Sequence, residues 1–154
     1  MADEELAYDE NTKQLYLDLF TEIAIIEHLV RQRFEPAHLA DLVAADFGVL
    51  NHFVRLRKTS EKLKTLAWCF QVEMTVMRAT VTTLAARRLV ELDWVDGFET
   101  IFVTDAGRAK HADAVADMAP DIIEIMSEFS VADLQTTAAT LKEMRRTFDN
   151  LPDR

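Results

Sequence analysis

The side chains with the plainest chemical capacity in this chain are cations gathered in one stretch. Positions 55 to 88 hold Arg55, Arg57, Lys58, Lys62, Lys64, Arg78, Arg87 and Arg88 against only Glu61 and Glu73, a net of +6. The remainder sums to −16, so the formal charge of −10 conceals a basic middle in an acidic chain. Ammonium and guanidinium groups at that density attract phosphate and release its counterions, which marks an interaction footprint. Other chemistry has less support. His28, His38, His52 and His111 include no pair at metal-ligand spacing on one helix face, so neither a metal nor another cofactor is expected. The single cysteine, Cys69, excludes a disulfide framework and suits a reducing compartment; its neighbours Trp68 and Phe70 suggest a small core residue. No nucleophile elbow, phosphate-cradling glycine loop or paired carboxylates occur, and Glu27 and His28 point apart on a helix. The residues do not point to an enzyme.

Those cations must be held by helices. The chain has 154 residues, 49% hydrophobic, with only three glycines and three prolines, which disfavours a turn-rich β fold. Leu15, Leu19, Ile23, Ile26 and Val30 lay an apolar stripe along a helix over 10–34, and Phe20, Ile25 and Leu29 widen it. Pro36 stops that helix, and 37–57 is helical again, with a break expected at Gly48. Thr59 or Ser60 then caps a short helix ending near Phe70, Gln71-Val72 turns, and 73–88 forms another helix. Met77, Val81 and Leu84 face inward on it, while Met74, Arg78 and Thr82, with Thr75 and Ala79 beside them, face outward. Two short helices joined by a tight turn form a helix-turn-helix pattern.

From Val90 the period changes to two. Residues 90–95 and 98–103 flank Asp96-Gly97, a two-residue hairpin signal that pairs Val95 with Phe98, Trp94 with Glu99, Leu92 with Ile101 and Val90 with Val103. A hairpin directly after a helix-turn-helix is a wing. Thr104 caps a helix to about Phe129, bent near Pro120, and Ser130 opens a last helix bearing Leu134, Ala138, Leu141, Phe148 and Leu151. Ile122, Ile123, Ile125, Met126 and Phe129 give the preceding helix a similar surface. Apolar terminal helices around one small winged unit call for a second copy of the chain. The first ten residues carry five acids and no base, and no apolar run approaches the roughly 20 residues that span a bilayer, so a cytoplasmic protein with no membrane partner is expected.

In this order and spacing the chain resembles the MarR family of winged-helix transcription regulators. The local anchors are Leu66-Ala67, Val72, Val81, Leu84 and Leu89-Val90, then Val103-Thr104-Asp105-Ala106-Gly107-Arg108, similar to the family's Leu-Thr-x-x-Gly-Arg after the wing. The resemblance implies a mainly α fold with a small β-hairpin wing, one domain over 1–154 in which 37–103 is the winged lobe and 10–34 and 105–150 are dimerisation helices. It implies a homodimer on double-stranded DNA, with recognition helices in major grooves about one turn apart, roughly 34–36 Å. It also implies a small aromatic or carboxylic effector bound beside the dimerisation helices, where His28, Arg31 and His52 could orient a carboxylate or serve only in packing.

On this reading Thr75 and Arg78 are base-contact candidates, with Thr82 further along the face. Lys62, Lys64 and Arg87 are phosphate candidates, although solvation or pairing with local acids suits them equally. Phe47, Phe53 and Trp68 read as core. Two departures stand out. Arg88 occupies the place of the glycine that usually precedes the wing. Residues 89–107 carry Glu91, Asp93, Asp96, Glu99 and Asp105 with no lysine or arginine, where family wings have an Asp-Arg-Arg motif. Fewer cations imply weaker binding with a shallower salt dependence. The acidic wing also leaves open an alternative: a winged-helix protein that has lost operator binding and acts as a protein-interaction module or antirepressor.

Overall fold

The computed structural model describes residues 9–34 and 40–151. Its elements are α1 (Glu10–Phe34), α2 (Ala44–Leu56), β1 (Ser60–Lys62), α3 (Leu63–Cys69), α4 (Met74–Ala86), β2 (Val90–Val95), β3 (Phe98–Val103), α5 (Asp105–Met126) and α6 (Val131–Asp149). Two compact units divide within α5: the first ends at Asp117 and the second begins at Met118. No helix among the described residues is long and apolar enough to cross a membrane.

The core of the first unit is built by the inward positions of α2, α3 and α4 closing on the base of the sheet. Val49, Leu50 and Phe53 of α2, Leu63 and Leu66 of α3, Val81 and Leu84 of α4, and Val90 and Ile101 of the strands are each under 2% exposed. The hairpin has the expected register at every pair, and Asp96 and Gly97 both take positive φ (51° and 78°), as a type I′ turn requires. The strands form a three-stranded antiparallel sheet of order β1-β3-β2, in which Ser60 pairs with Phe102 and Lys62 with Thr100. Here the sequence expectation is corrected. Ser60 does not cap a helix; it opens a strand, because the free edge of β3 offers its backbone a ladder that outweighs one capping bond. The helix starts three residues later, at Leu63, with no side-chain cap.

Gly48 does not break α2, which runs through it. A Cβ there would sit 3.1 Å from the Phe70 ring, so the glycine serves close packing against the end of α3 rather than a turn. The Pro36 expectation falls outside the described residues. Helix ends α2, α3 and α4 share one device. Lys58 N–H donates to Phe53 O and Arg57 N–H to Val54 O; Val72 and Gln71 repeat this on Ala67 and Trp68, as do Leu89 and Arg88 on Leu84 and Ala85. These are Schellman caps, and their left-handed residues are Arg57 (φ 54°), Gln71 (φ 53°) and Arg88 (φ 58°), with no glycine among them.

The Val103-to-Arg108 motif acts as a clasp. Thr104 Oγ1 accepts from Gly107 N–H at 3.0 Å, capping α5, and donates to the carbonyl of Arg88 or Leu89. Gly107 is buried where a Cβ would run into the Leu89 carbonyl oxygen, and Arg108 Nη2 donates to Lys58 O at 2.8 Å. One short sequence thereby ties α5 to both ends of the helix-turn-helix. α1 has no buried residue, and it exposes Leu15, Leu17, Phe20, Ile26, Leu29 and Val30. In the second unit Pro120 lies inside α5, which ends at Met126 rather than Phe129, and Ser130 Oγ accepts from Asp133 N–H to cap α6 as expected. That unit exposes Ile122, Ile123, Ile125, Phe129 and Phe148.

Candidate nucleic-acid interface

The basic stretch folds into the helix-turn-helix and its immediate supports, with α4 presented to solvent along the side opposite Met77, Val81 and Leu84. Thr75, Ala79 and Thr82 are exposed on that side, so no other part of the described chain covers it. Val76 stands beside them at 54% exposure. Arg78 lies on the flank nearest the wing. Its Nη2 meets Glu99 Oε2 of β3 at 2.5 Å and its Nε meets Oε1 at 3.4 Å, a two-pronged pair. The hydrogen bond from Arg78 holds the Glu99 carboxyl below the usual carboxylate range, and Glu99 in turn raises the Arg78 guanidinium.

Lys62 and Lys64 converge on the same strand. Both ammonium groups lie over the Phe98 ring, at 3.8 and 4.7 Å from its centroid, so one aromatic side chain gathers two cations at the wing. Arg87 stands just past the end of α4. Its Nη1 donates to Asp41 O at 2.9 Å, and its charge faces the buried Asp46, whose carboxyl is pushed up by burial and pulled back by Arg87. Arg87 therefore links the loop before α2 to the end of α4.

The candidate ligand residues occupy different settings. His28 is exposed on α1, and Arg31 pairs with Glu27 one turn away. His52 is 5% exposed inside the first unit, with its Nε2 3.5 Å from Glu61 Oε2 and no hydrogen bond formed. Burial pushes the His52 pKa down, against the pull of Glu61 and with the push of Lys58 and Arg55. Glu61 would be raised by its own burial, but the Lys58 ammonium holds it below the usual range. His111 is buried as well, stacked on Phe47 with its Nε2 3.0 Å from Asn51 Oδ1. Two expectations of core placement are corrected: Trp68 is 53% exposed and Cys69 is exposed. They lie on the outer side of α3, where the buried positions are Leu63, Leu66 and Ala67. No group of three or more metal-binding side chains occurs among the described residues.

Glu99 and Phe98 are the residues of this candidate site that residue types alone did not single out. A signal was present in the hairpin register. Glu99 stands opposite Trp94 and two positions from the buried Ile101, so it is an acid on the strand face that packs on the helices. Such an acid needs a cation, and Arg78 is the only one that α4 contains.

No protein-family model matches the chain, and no curated protein sequence does. Solved structures do. The transcriptional regulator BldR from Sulfolobus solfataricus is 19% identical, with 89% of this chain and 99% of that one covered at a TM-score of 0.70. The organohalide-sensing transcriptional regulator RdhR, in its ligand-free form, is 15% identical over 96% of this chain and 86% of its own at 0.67. The oxidized form of MarR from E. coli is 19% identical over 79% and 92% at 0.62. The likeness extends over most of each chain, and with the helix-turn-helix and hairpin described above it makes this chain a winged helix of the MarR type in fold.

Proposed function

We propose that the protein is a homodimeric, cytoplasmic DNA-binding transcription regulator that inserts α4 into the major groove. The observation that supports this most directly is the uncovered outer side of α4, set in a stretch of net charge +6. Thr75 and Thr82 face the bases on this reading. Lys62, Lys64 and Arg87 contact phosphates, and Arg78 serves at the junction of helix and wing. The acids of the wing are partly offset, since Glu99 is already paired.

Dimerisation is favoured by the exposed apolar side chains of α1, α5 and α6, which in a monomer would leave a large apolar surface in water. A small aromatic effector is favoured by analogy, because RdhR is also known with 2,4-dichlorophenol bound. Titration with a random-sequence duplex at low salt tests the central claim. Binding that weakens steeply as salt is added is expected. No binding at the lowest salt would overturn it.

A further inference from the structure

The outer side of α4 is unusual in what it lacks. Its sequence, MTVMRATVTTLAA, contains no asparagine, glutamine or lysine, the side chains that pair with base edges alongside arginine. Its one arginine, Arg78, is turned onto Glu99. The remaining groups are mostly methyls. Thr83 Oγ1 donates to Ala79 O at 3.1 Å and Thr80 Oγ1 to Val76 O at 3.3 Å, so both hydroxyls are spent on the helix itself. Val76 and Ala79 stand exposed beside Thr75 and Thr82, whose hydroxyls make no hydrogen bond among those found in the described residues.

A duplex presents one apolar group in its major groove, the C5-methyl of thymine. From this match, and resting on the DNA-binding reading above, we propose that α4 recognises its half-site chiefly through thymine methyl groups. Val76 and Ala79 are the specificity-determining residues, and the threonine hydroxyls at 75 and 82 accept or donate to whichever base edge lies alongside. The half-site is then rich in A·T pairs whose thymines face these two side chains. The flanking cations supply affinity without sequence preference.

Selection of bound duplexes from a random pool by the full-length protein, followed by base-analogue substitution in the selected site, tests this. Replacing thymine by uracil removes the methyl and keeps the pairing. Each methyl contacted by Val76 or Ala79 is expected to cost about fourfold in affinity, the worth of one buried methyl group. Val76→Ser should abolish that difference at its own thymine and leave the uracil penalty at the thymine facing Ala79 in place. Half-sites dominated by guanine, or selected sites that bind equally well with uracil, would overturn the proposal while leaving the DNA-binding reading intact. Failure to retain any duplex at low salt would overturn both.

Discussion

Arg78 of α4 and Glu99 of β3 form a pair in which the guanidinium fork grips one carboxylate through two nitrogens. A carboxylate so held stands where a phosphate or a base edge would compete for the same donors. The pair therefore acts in two directions. It neutralises an acid of the wing that lies against α4, and it occupies the most versatile donor on that helix. Glu99→Gln is expected to strengthen binding to random duplex and to steepen the salt dependence by about one counterion, because Arg78 becomes free to meet phosphate. Arg78→Ala in the Glu99→Gln background should return the slope to its starting value. An unchanged slope in Glu99→Gln would show that Arg78 does not reach DNA even when released.

The association of two chains is expected to reside in the exposed aliphatic side chains of the terminal helices. The 17.6 kDa chain should sediment at about twice its mass. Ile123, 67% exposed on α5, is a sensitive position to probe. A charge there adds nothing unfavourable to a monomer in water, whereas burying it against a partner without a counter-ion is strongly unfavourable. Ile123→Glu should move the dimer to monomer at micromolar concentration with little change in helix content. A dimer that survives would place the contact elsewhere on the chain.

Most of the architecture was legible because its signals are local. The hairpin could be read residue by residue, since Asp96-Gly97 fixes the turn type and the turn type fixes the register. The inward line of Met77, Val81 and Leu84 followed from helical period alone. What escaped was either long-range or unmarked. Strand β1 is three residues whose extended form depends on an edge supplied some 40 positions later, between Ser60 and Phe102. Helix ends at Arg57, Gln71 and Arg88 carry no glycine, so the usual stop signal is absent although the cap geometry is present. At the interface the cations were legible by type. Their partners were not, because Phe98 and Glu99 acquire their roles only when the wing folds back beside α3 and α4.

That missing glycine has a measurable consequence at Arg88. A left-handed φ of 58° brings Cβ close to the following carbonyl, at a cost of roughly 1–2 kcal/mol, part of which glycine regains and part of which it loses to unfolded-state entropy. Arg88→Gly is therefore expected to stabilise the fold by about 0.5–1 kcal/mol, or ~2 °C in Tm. Arg88→Ala removes the same side chain and keeps the strain, so it should give no such gain. Equal melting temperatures for the two variants would show that the backbone strain at 88 is not released.

The opposite sign is expected at Gly107. Its missing Cβ is what lets α5 lie against the Leu89 carbonyl. That carbonyl accepts from Thr104 N–H at 3.2 Å, so it cannot move aside without loosening the clasp. Gly107→Ala should destabilise by about 1–3 kcal/mol through overpacking. Thr104→Ala, which removes only the cap, should cost about 1 kcal/mol. A Gly107→Ala protein as stable as the parent in urea would mean that α5 shifts freely on the wing, and the clasp would lose its assigned role.

The buried histidines set the direction of the acid response. His52 and His111 are both pushed below their ordinary pKa of 6.5, chiefly by burial, so the folded state holds them neutral where the unfolded chain would take up protons. Their contribution is fully present above pH 6.5 and is lost as the pH falls through the folded-state values. Glu61, held below 4.5 by Lys58 against its burial, acts in the same sense but at more acidic pH. Asp46, raised above 3.8 by its burial, acts in the opposite sense there. The urea midpoint should accordingly fall between pH 7.5 and 5.5. His52→Gln should lessen that fall, because an amide keeps a polar group facing Glu61 without taking a proton. Parallel pH profiles for the parent and the variant would mean that His52 protonates as readily in the folded chain as in the unfolded one.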